Sequence, residues 1–232
     1  LAGLTGYTRE FLTPSRKLHN SGFGVKAALK ILGADISLGY FNAYDANPTL
    51  EIDNSGSIIR NSYYSLSMLM MDFEFELGGI IFRGEFAYFD KGKAYMRTDL
   101  SVIERKFMSA ILGIEKKDLF TQGFSINVQW VTDRILDYDG QNIKRQKADH
   151  RITCNLSYDR LFNNRVTLAL TGIWGIVNKE GMVKFKIIWQ PQNDFNVEIG
   201  LITIFSKKDN PYATYGVFYN RDSVYLQASY SF

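Results

Sequence analysis

The segment from residue 223 to residue 232 places apolar side chains at every second position. These positions are Val224, Leu226, Ala228, Tyr230 and Phe232. Because successive side chains of a strand point to opposite sides, this alternation predicts a β-strand with one apolar and one polar face. An edge strand with exposed aromatic residues invites aggregation in water, whereas a strand of an outer-membrane barrel turns such a face to lipid. The segment therefore favours a strand of a membrane-embedded sheet.

The same period of two recurs along most of the chain, in segments that are separated by turn residues. Eleven such segments are found, and each has an apolar face and a polar or charged face. The first apolar residues of these segments, in chain order, are Phe23, Ile36, Leu69, Ile80, Met108, Phe124, Ile152, Val166, Val183, Phe195 and Val224. We therefore predict an all-β fold, namely a transmembrane antiparallel up-and-down β-barrel with about 11–12 visible strands.

Strand length and the placement of aromatic residues favour a barrel over a soluble sandwich, in which the apolar face would point inward. The predicted strands run for about ten residues or more, whereas strands in soluble proteins are usually about five or six residues long. Aromatic residues recur at strand ends, as interfacial girdles require. These residues are Tyr40, Tyr88, Trp130, Tyr158 and Trp189.

The connections between the predicted strands alternate in length. Short turns are predicted around residue 33 and at residues 78–79, 117–122, 161–164 and 191–194. Long connections are predicted at residues 42–62, 90–102, 134–148 and 206–221, with one short turn, 178–181, on the same side as the long ones. Outer-membrane barrels have short periplasmic turns and long external loops. The alternation therefore predicts which end of the sheet faces the periplasm.

Composition is consistent with a barrel and excludes several other classes. Hydrophobic residues make up 46% of the chain, but the mean hydropathy is −0.15, as expected when only alternate residues meet lipid. No uncharged apolar run approaches the roughly 18–20 residues that a membrane-spanning helix needs. The net charge of +3 is too balanced to indicate nucleic-acid binding. The single cysteine, Cys154, excludes an internal disulfide.

Eleven strands is an odd number, and bacterial single-chain barrels usually have an even one. We assign residues 1–21 to an N-terminal segment, either a partial strand or a loop, and residues 22–232 to the barrel. Gly3, Gly6 and the Thr8-Arg9-Glu10 cluster interrupt the alternation in the first twelve residues. We therefore expect further strands N-terminal to this chain rather than a complete twelfth strand within it.

Several short motifs carry a resemblance. They are Ser21-Gly-Phe-Gly24, Asp45-Ala-Asn-Pro48, Leu77-Gly-Gly79, Arg83-Gly-Glu85 and Asn220-Arg-Asp-Ser-Val-Tyr225. With them the chain resembles the C-terminal portion of a large, poorly characterised family of porin-like outer-membrane β-barrel proteins of Gram-negative bacteria. The ending on Phe232 resembles the signature by which such barrels are recognised for insertion. The resemblance implies contact with outer-membrane lipid and lipopolysaccharide and with the barrel-assembly machinery, but it implies no substrate, cofactor or catalytic residue.

The polar strand faces supply the candidate functional residues. An acidic row on one predicted strand lies beside Arg83 and Glu85 on the next, and two lysines face Glu198. Rows of opposite charge create a transverse field that orients polar solutes in a pore, although the same charges could neutralise one another in a plugged barrel. The candidate pore-lining residues are Lys26, Lys30, Asp72, Glu74, Glu76, Arg83, Glu85, Arg151, Lys184, Lys186 and Glu198.

These patterns favour a porin-like channel for small polar solutes. The alternative is a structural barrel that anchors or sheathes a partner protein, and a remote alternative is an outer-membrane enzyme. We expect no catalysis, because neither His19 nor His150 has a spaced serine or aspartate partner. We expect no cofactor and no metal, since the segment 137–148 lacks the glycine and glutamate of a calcium loop. A protein partner or a homo-oligomer remains open.

Overall fold

The structure is a computed structural model, which describes residues 8–15, 17–52, 58–96, 101–140, 146–207, 214–219 and 221–231. These residues contain fourteen strands and two short 3-10 turns, Leu18–Asn20 and Gly216–Phe218. The strands are β1 (Thr8–Leu12), β2 (Phe23–Ile31), β3 (Ala34–Tyr44), β4 (Thr49–Ile52), β5 (Ile58–Ser62), β6 (Ser65–Leu77), β7 (Ile80–Met96), β8 (Val102–Lys117), β9 (Phe124–Ile135), β10 (Ala148–Leu161), β11 (Val166–Gly175), β12 (Glu180–Gln192), β13 (Phe195–Phe205) and β14 (Ser223–Tyr230). Within the described ranges, no helix is long and apolar enough to cross a membrane.

Eleven strands form one antiparallel sheet in the order β2-β3-β6-β7-β8-β9-β10-β11-β12-β13-β14. Neighbouring strands in this order are hydrogen-bonded to each other in antiparallel fashion. A short turn or a longer connection joins each strand to the next. The prediction of an all-β, up-and-down antiparallel sheet is therefore confirmed, and its eleven strands are the eleven predicted segments. No pairing joins the described residues of β2 to those of β14, so barrel closure stays a prediction.

The two ends of the sheet differ in their connections. The short turns at residues 32–33, 78–79, 118–123, 162–165 and 193–194 lie at one end, which we call the turn end. The strand ends that flank residues 45–64, 97–101, 136–147, 176–179 and 206–222 lie at the other, which we call the loop end. The segregation of short and long connections agrees with the sequence pattern, except at two places.

The first exception is the predicted long connection at residues 42–62, which contains two strands. β5 pairs in antiparallel fashion with β4 and in parallel with β1, and the three form a separate small sheet. Arg60 Nε lies 2.9 Å from Glu10 Oε2 and links β5 to β1 across this sheet. The N-terminal segment thus holds a strand, but that strand is outside the main sheet. These strands are four or five residues long, too short to show a clear period of two.

The second exception is the predicted long connection at residues 90–102. β7 continues to Met96 and β8 begins at Val102, so this prediction is wrong and the hairpin is longer than expected. A register shift between Phe89 and Lys93 explains the error. Such an irregularity adds residues to one strand without ending its pairing. The alternation of side chains is therefore lost locally although the strand continues.

Strand register places the predicted apolar positions on one face of the main sheet. Tyr40 pairs with Leu69, Leu69 with Tyr88, and Tyr88 with Met108. The same parity continues through Trp130, which is opposite Ile152, to the pairing of Leu201 with Val224. We call this the apolar face and the opposite one the polar face. The assignment of the predicted apolar positions to a common face is thus confirmed by the pairing for the strand residues that the structure describes, whereas Phe232 lies outside them.

Candidate functional site on the two faces of the sheet

The apolar face is exposed to its surroundings over its whole width. Val25 and Leu226 on the two edge strands are 67% and 72% exposed. On inner strands Leu69 is 53%, Leu112 is 48% and Trp189 is 50% exposed. Ten spacings of about 4.8 Å between the eleven strands, and about 26 Å along β12 from Gly181 to Trp189, give a face of about 1,300 Å². The largest apolar patch of a soluble monomer is typically about 300–600 Å². This face therefore needs an apolar covering.

Charged residues on the apolar face lie only near its margins. Lys116 pairs with Ile80 and Ile126 near the turn end, and Arg134 pairs with Met108 near the loop end. Between these margins the described positions of the face are apolar, aromatic, glycine or threonine, apart from His150, which is opposite Thr132 one row inside Arg134. A continuous band without charge, bordered by charge, has the polarity profile of a bilayer.

Aromatic residues stand near both margins of this band. Trp130 and Trp174 lie towards the loop end, and Trp189 and Tyr230 lie towards the turn end. Trp174 is opposite Gly181, which is eight residues from Trp189 along β12, or about 26 Å at about 3.3 Å per residue. The spacing of the two aromatic rows matches the height of the apolar band in outer-membrane barrels, which is about 25 Å.

The polar face carries every charged residue that was predicted to line a pore. Strand register gives all of them the same parity, opposite to that of the apolar positions. These residues are Lys26, Lys30, Asp72, Glu74, Glu76, Arg83, Glu85, Arg151, Lys184, Lys186 and Glu198. Their common face is therefore observed, whereas their contact with a permeating solute stays a prediction.

The first charged group of the polar face spans β2 to β8. Lys26 Nζ lies 2.9 Å from Asp72 Oδ2, which also accepts a hydrogen bond from the Ser37 hydroxyl. Arg83 bridges two carboxylates, with Nε 2.5 Å from Glu74 and Nη1 2.6 Å from Glu115. The sequence pattern found the acidic row but missed Glu115 and the contact of Ser37 with Asp72. Their roles depend on which residues the register places side by side, and a single-strand pattern does not contain that information.

The second charged group lies on β12 to β14. Lys186 Nζ is 3.3 Å and Lys184 Nζ is 3.8 Å from the carboxylate of Glu198. The Tyr225 hydroxyl donates a hydrogen bond to Glu198, and Lys184 Nζ stands 5.0 Å from the centroid of the Tyr225 ring. A Cβ at Gly200 would lie 2.2 Å from the Tyr225 ring, so only glycine leaves room for it. This tyrosine was not among the predicted site residues, although its pairing with a glycine was a usable signal.

A third charged group lies nearer the loop end, on β8 to β10. Arg151 Nη2 is 3.3 Å from Asp133 Oδ2, and Arg151 Nε is 3.2 Å from Asp149 Oδ2. The Ser109 hydroxyl donates to the other oxygen of Asp133 at 2.7 Å. Arg151 thus stands between two carboxylates on the polar face.

A buried carboxylate ties a connection to the loop end of the polar face. Glu180 is only 3% exposed. Its two oxygens accept hydrogen bonds from the backbone N–H groups of Thr214, at 2.8 Å, and Tyr215, at 2.7 Å. Burial raises the pKa of the Tyr215 hydroxyl, with nearby Glu180 also raising it and Arg151 lowering it. The described part of the last connection is therefore folded over the polar face.

An apolar cluster covers another part of the loop end on the same face. Leu66, Phe89, Phe107 and Ile135 are all buried, and Tyr95 packs against them. The Phe89 and Phe107 rings lie 5.5 Å apart. The sequence pattern missed this cluster because it predicted polar residues on this face and a loop where β7 continues. The cluster and the connection bound by Glu180 together cover part of the polar face at the loop end.

The structure brings no metal-binding group together in the parts of the chain that it describes. Cys154 lies on the apolar face, opposite Val128 and Gly172. The His150 ring stacks on Trp130, with ring centroids 6.0 Å apart. Phe232 lies outside the described residues. No protein-family model, no curated protein and no solved structure matches the chain.

Proposed function

We propose that this chain forms the wall of an outer-membrane β-barrel channel through which small polar solutes pass. The observation that carries the proposal is the exposed apolar face, which is free of charge between its margins and about 1,300 Å² in area. Water would make such a face a site of aggregation, whereas lipid tails solvate it. The face that turns away from lipid then lines an aqueous space.

Chain topology supports the orientation of the proposed barrel. Short turns gather at one end and longer connections at the other, as in outer-membrane barrels with a periplasmic turn end and an external loop end. The apolar cluster and the connection held by Glu180 then lie at the external mouth. We propose that they narrow this mouth and set the size limit for solutes.

The polar face supports conduction of hydrated, charged solutes. Its ion pairs are partly open to solvent; for example, the side chains of Lys26 and Asp72 are 55% and 45% exposed. Fixed charges of both signs in a confined aqueous space act on ions at short range. Acidic residues prevail on β6, and basic residues prevail on β12. A solute with separated charges would therefore be oriented as it passes.

Conductance in planar bilayers tests this proposal. The purified protein is folded into detergent, and folding is checked by the mobility difference between unheated and boiled samples on a gel. We expect ion-conducting steps and a reversal potential that moves towards anion preference when Asp72, Glu74 and Glu76 are neutralised together. Replacement of Asp137 by asparagine, in a connection outside the strands, serves as the matched control and leaves selectivity unchanged.

Two results would overturn the proposal. A protein that stays monodisperse in water without detergent would contradict the membrane location. A folded, membrane-inserted protein without conductance would contradict the channel and favour a barrel that anchors or sheathes a partner.

A further inference from the structure

The polar face contains a groove of about 570 Å³ whose lining is divided into an apolar and a charged part. The apolar part lies on the side of the loop end. It includes Met68, Met70, Ala87 and the polar Ser109, and Ile111 lies next to it, opposite Glu85. The charged part lies towards the turn end. It consists of Lys26, Asp35, Asp72, Glu74, Arg83 and Glu85, of which Asp35 is paired with Lys30 at 3.2 Å.

Most charges of this groove are already compensated within the protein. Asp72 is paired with Lys26 at 2.9 Å, and Glu74 is paired with Arg83 at 2.5 Å. Among the residues that the structure describes, Glu85 makes neither an ion pair nor a side-chain hydrogen bond, although it pairs through its backbone with Asp72 and Ile111. The groove therefore offers the unpaired carboxylate of Glu85 next to an apolar wall, and Arg83 adds no positive surplus because it is shared between Glu74 and Glu115.

We propose that this groove is a binding site for amphiphilic organic cations, which consist of an ammonium group and a short apolar body. The ammonium group lies at the Glu85 carboxylate, and the apolar body lies along the two methionines. This inference rests on the proposed function, because it names a solute class for the same polar face. It adds a binding site for that solute within the proposed permeation path.

The chemistry of the lining selects this class over others. Methionine side chains are flexible and polarizable, so they adapt to apolar bodies of different shape. A small inorganic cation would use Glu85 but gain nothing from the methionines. An organic anion would meet the uncompensated carboxylate and be repelled. Only a ligand with both features uses both parts of the groove.

Isothermal titration calorimetry on the folded protein in lipid nanodiscs tests the inference, with empty nanodiscs as the background. Hexyltrimethylammonium is the probe, tetramethylammonium lacks the apolar body, and hexanesulfonate carries the opposite charge. We expect saturable binding of the first and binding at least about tenfold weaker for the other two, as loss of one charge-assisted or apolar contact predicts.

Two substitutions localise the site. Glu85→Gln should lower the affinity for hexyltrimethylammonium about tenfold. Met70→Gln should lower this affinity about threefold and leave the affinity for tetramethylammonium unchanged. The matched control is Glu76→Gln, which removes a carboxylate of the same face that does not line the groove. Gel mobility before and after boiling shows that each variant is folded.

The outcomes separate this inference from the proposed channel. If the protein conducts ions but does not bind hexyltrimethylammonium saturably, the inference is overturned and the channel proposal stands. The same holds if Glu85→Gln and Glu76→Gln lower the affinity for hexyltrimethylammonium equally. Binding that is lost only in the groove variants, in a protein without conductance, supports the site and overturns the channel. Binding of hexanesulfonate as tight as that of the cation would also contradict the assigned ligand class.

Discussion

Replacement of Phe185 by arginine distinguishes a lipid-facing sheet from a water-facing one. Phe185 lies on the apolar face of β12 between Leu170 and Leu201, midway between Gly181, which is opposite Trp174, and Trp189. Its side chain is 38% exposed. In a bilayer this position is near the midplane, where arginine on the lipid face of a barrel costs about 2–4 kcal/mol. That cost corresponds to a decrease of about 30- to 1,000-fold in the equilibrium ratio of folded to unfolded protein.

On a sheet whose apolar face meets water, the same substitution has a much smaller effect on the free energy of unfolding. If the apolar face met water, arginine at an exposed position would change the free energy of unfolding by about 0.5 kcal/mol or less. The control is Val166→Arg, at the turn end of the same face and opposite Trp189. In lipid this marginal position should cost only about 0–1 kcal/mol. The free energies of unfolding of the two variants should therefore differ by about 1–4 kcal/mol if the face meets lipid and by about 0.5 kcal/mol or less if it meets water.

Urea-induced unfolding from lipid vesicles measures the difference. Tryptophans on the apolar face report unfolding through the red shift of their emission as they leave lipid. We expect the midpoint for Phe185→Arg to fall well below that for Val166→Arg, with similar slopes. Equal free energies of unfolding for the two variants would refute the assignment of the apolar face to lipid.

Three further predictions concern the loop end and the charged groups. Glu180→Ala should speed hydrogen exchange at the backbone amides of the connection that it holds at least tenfold, measured by mass spectrometry, because two charge-assisted hydrogen bonds are lost. Burial raises the pKa of Tyr215, so the docked connection favours the neutral hydroxyl. Docking is therefore intact below pH 10 and weakens as the pH rises through the raised pKa. An ultraviolet titration, in which one tyrosine should ionise later than the others, measures this. Replacing Lys184 and Lys186 by glutamine should move the reversal potential towards cation preference, and an unchanged potential would contradict their contact with the permeation path.

The sequence was sufficient to predict strand identity and face wherever the alternation is unbroken. In β12, Val183, Phe185 and Ile187 alternate with Lys184 and Lys186, and the structure has the same parity. Because one side of such a strand is charged and the other is apolar, a shift by one residue would reverse both faces. The charged candidate residues could be assigned to a common face for the same reason.

Residues whose role depends on distant partners could not be found in this way. Glu180 accepts hydrogen bonds from residues 34 and 35 positions later in the chain, and no local period encodes such a contact. The Tyr225 contact with Glu198 likewise follows from the register of two strands. The extension of β7 was missed because a register shift after Phe89 interrupts the alternation. These cases share a dependence on tertiary pairing rather than on strand propensity.

Strand direction limits how the proposed barrel closes. β2 begins at the loop end and finishes at the turn before Ala34, and β14 also runs from the loop end to the turn end. Direct pairing of these two edges would therefore be parallel. In an entirely antiparallel barrel, an odd number of additional strands from outside the described residues must lie between them. We expect the antiparallel arrangement.

Cysteine cross-linking tests this expectation in a Cys154→Ser background. Single cysteines are placed along β2, at Ala28 and its neighbours, and along β14, at Gln227 and its neighbours. Disulfides need Cα atoms within about 7 Å, but one intervening strand separates the two edges by about 9.6 Å. We therefore expect no cross-link in any pair, whereas the positive control, cysteines at the paired positions Glu198 and Gln227, should cross-link readily. Efficient cross-linking of any β2–β14 pair would show parallel closure and refute the requirement for further strands.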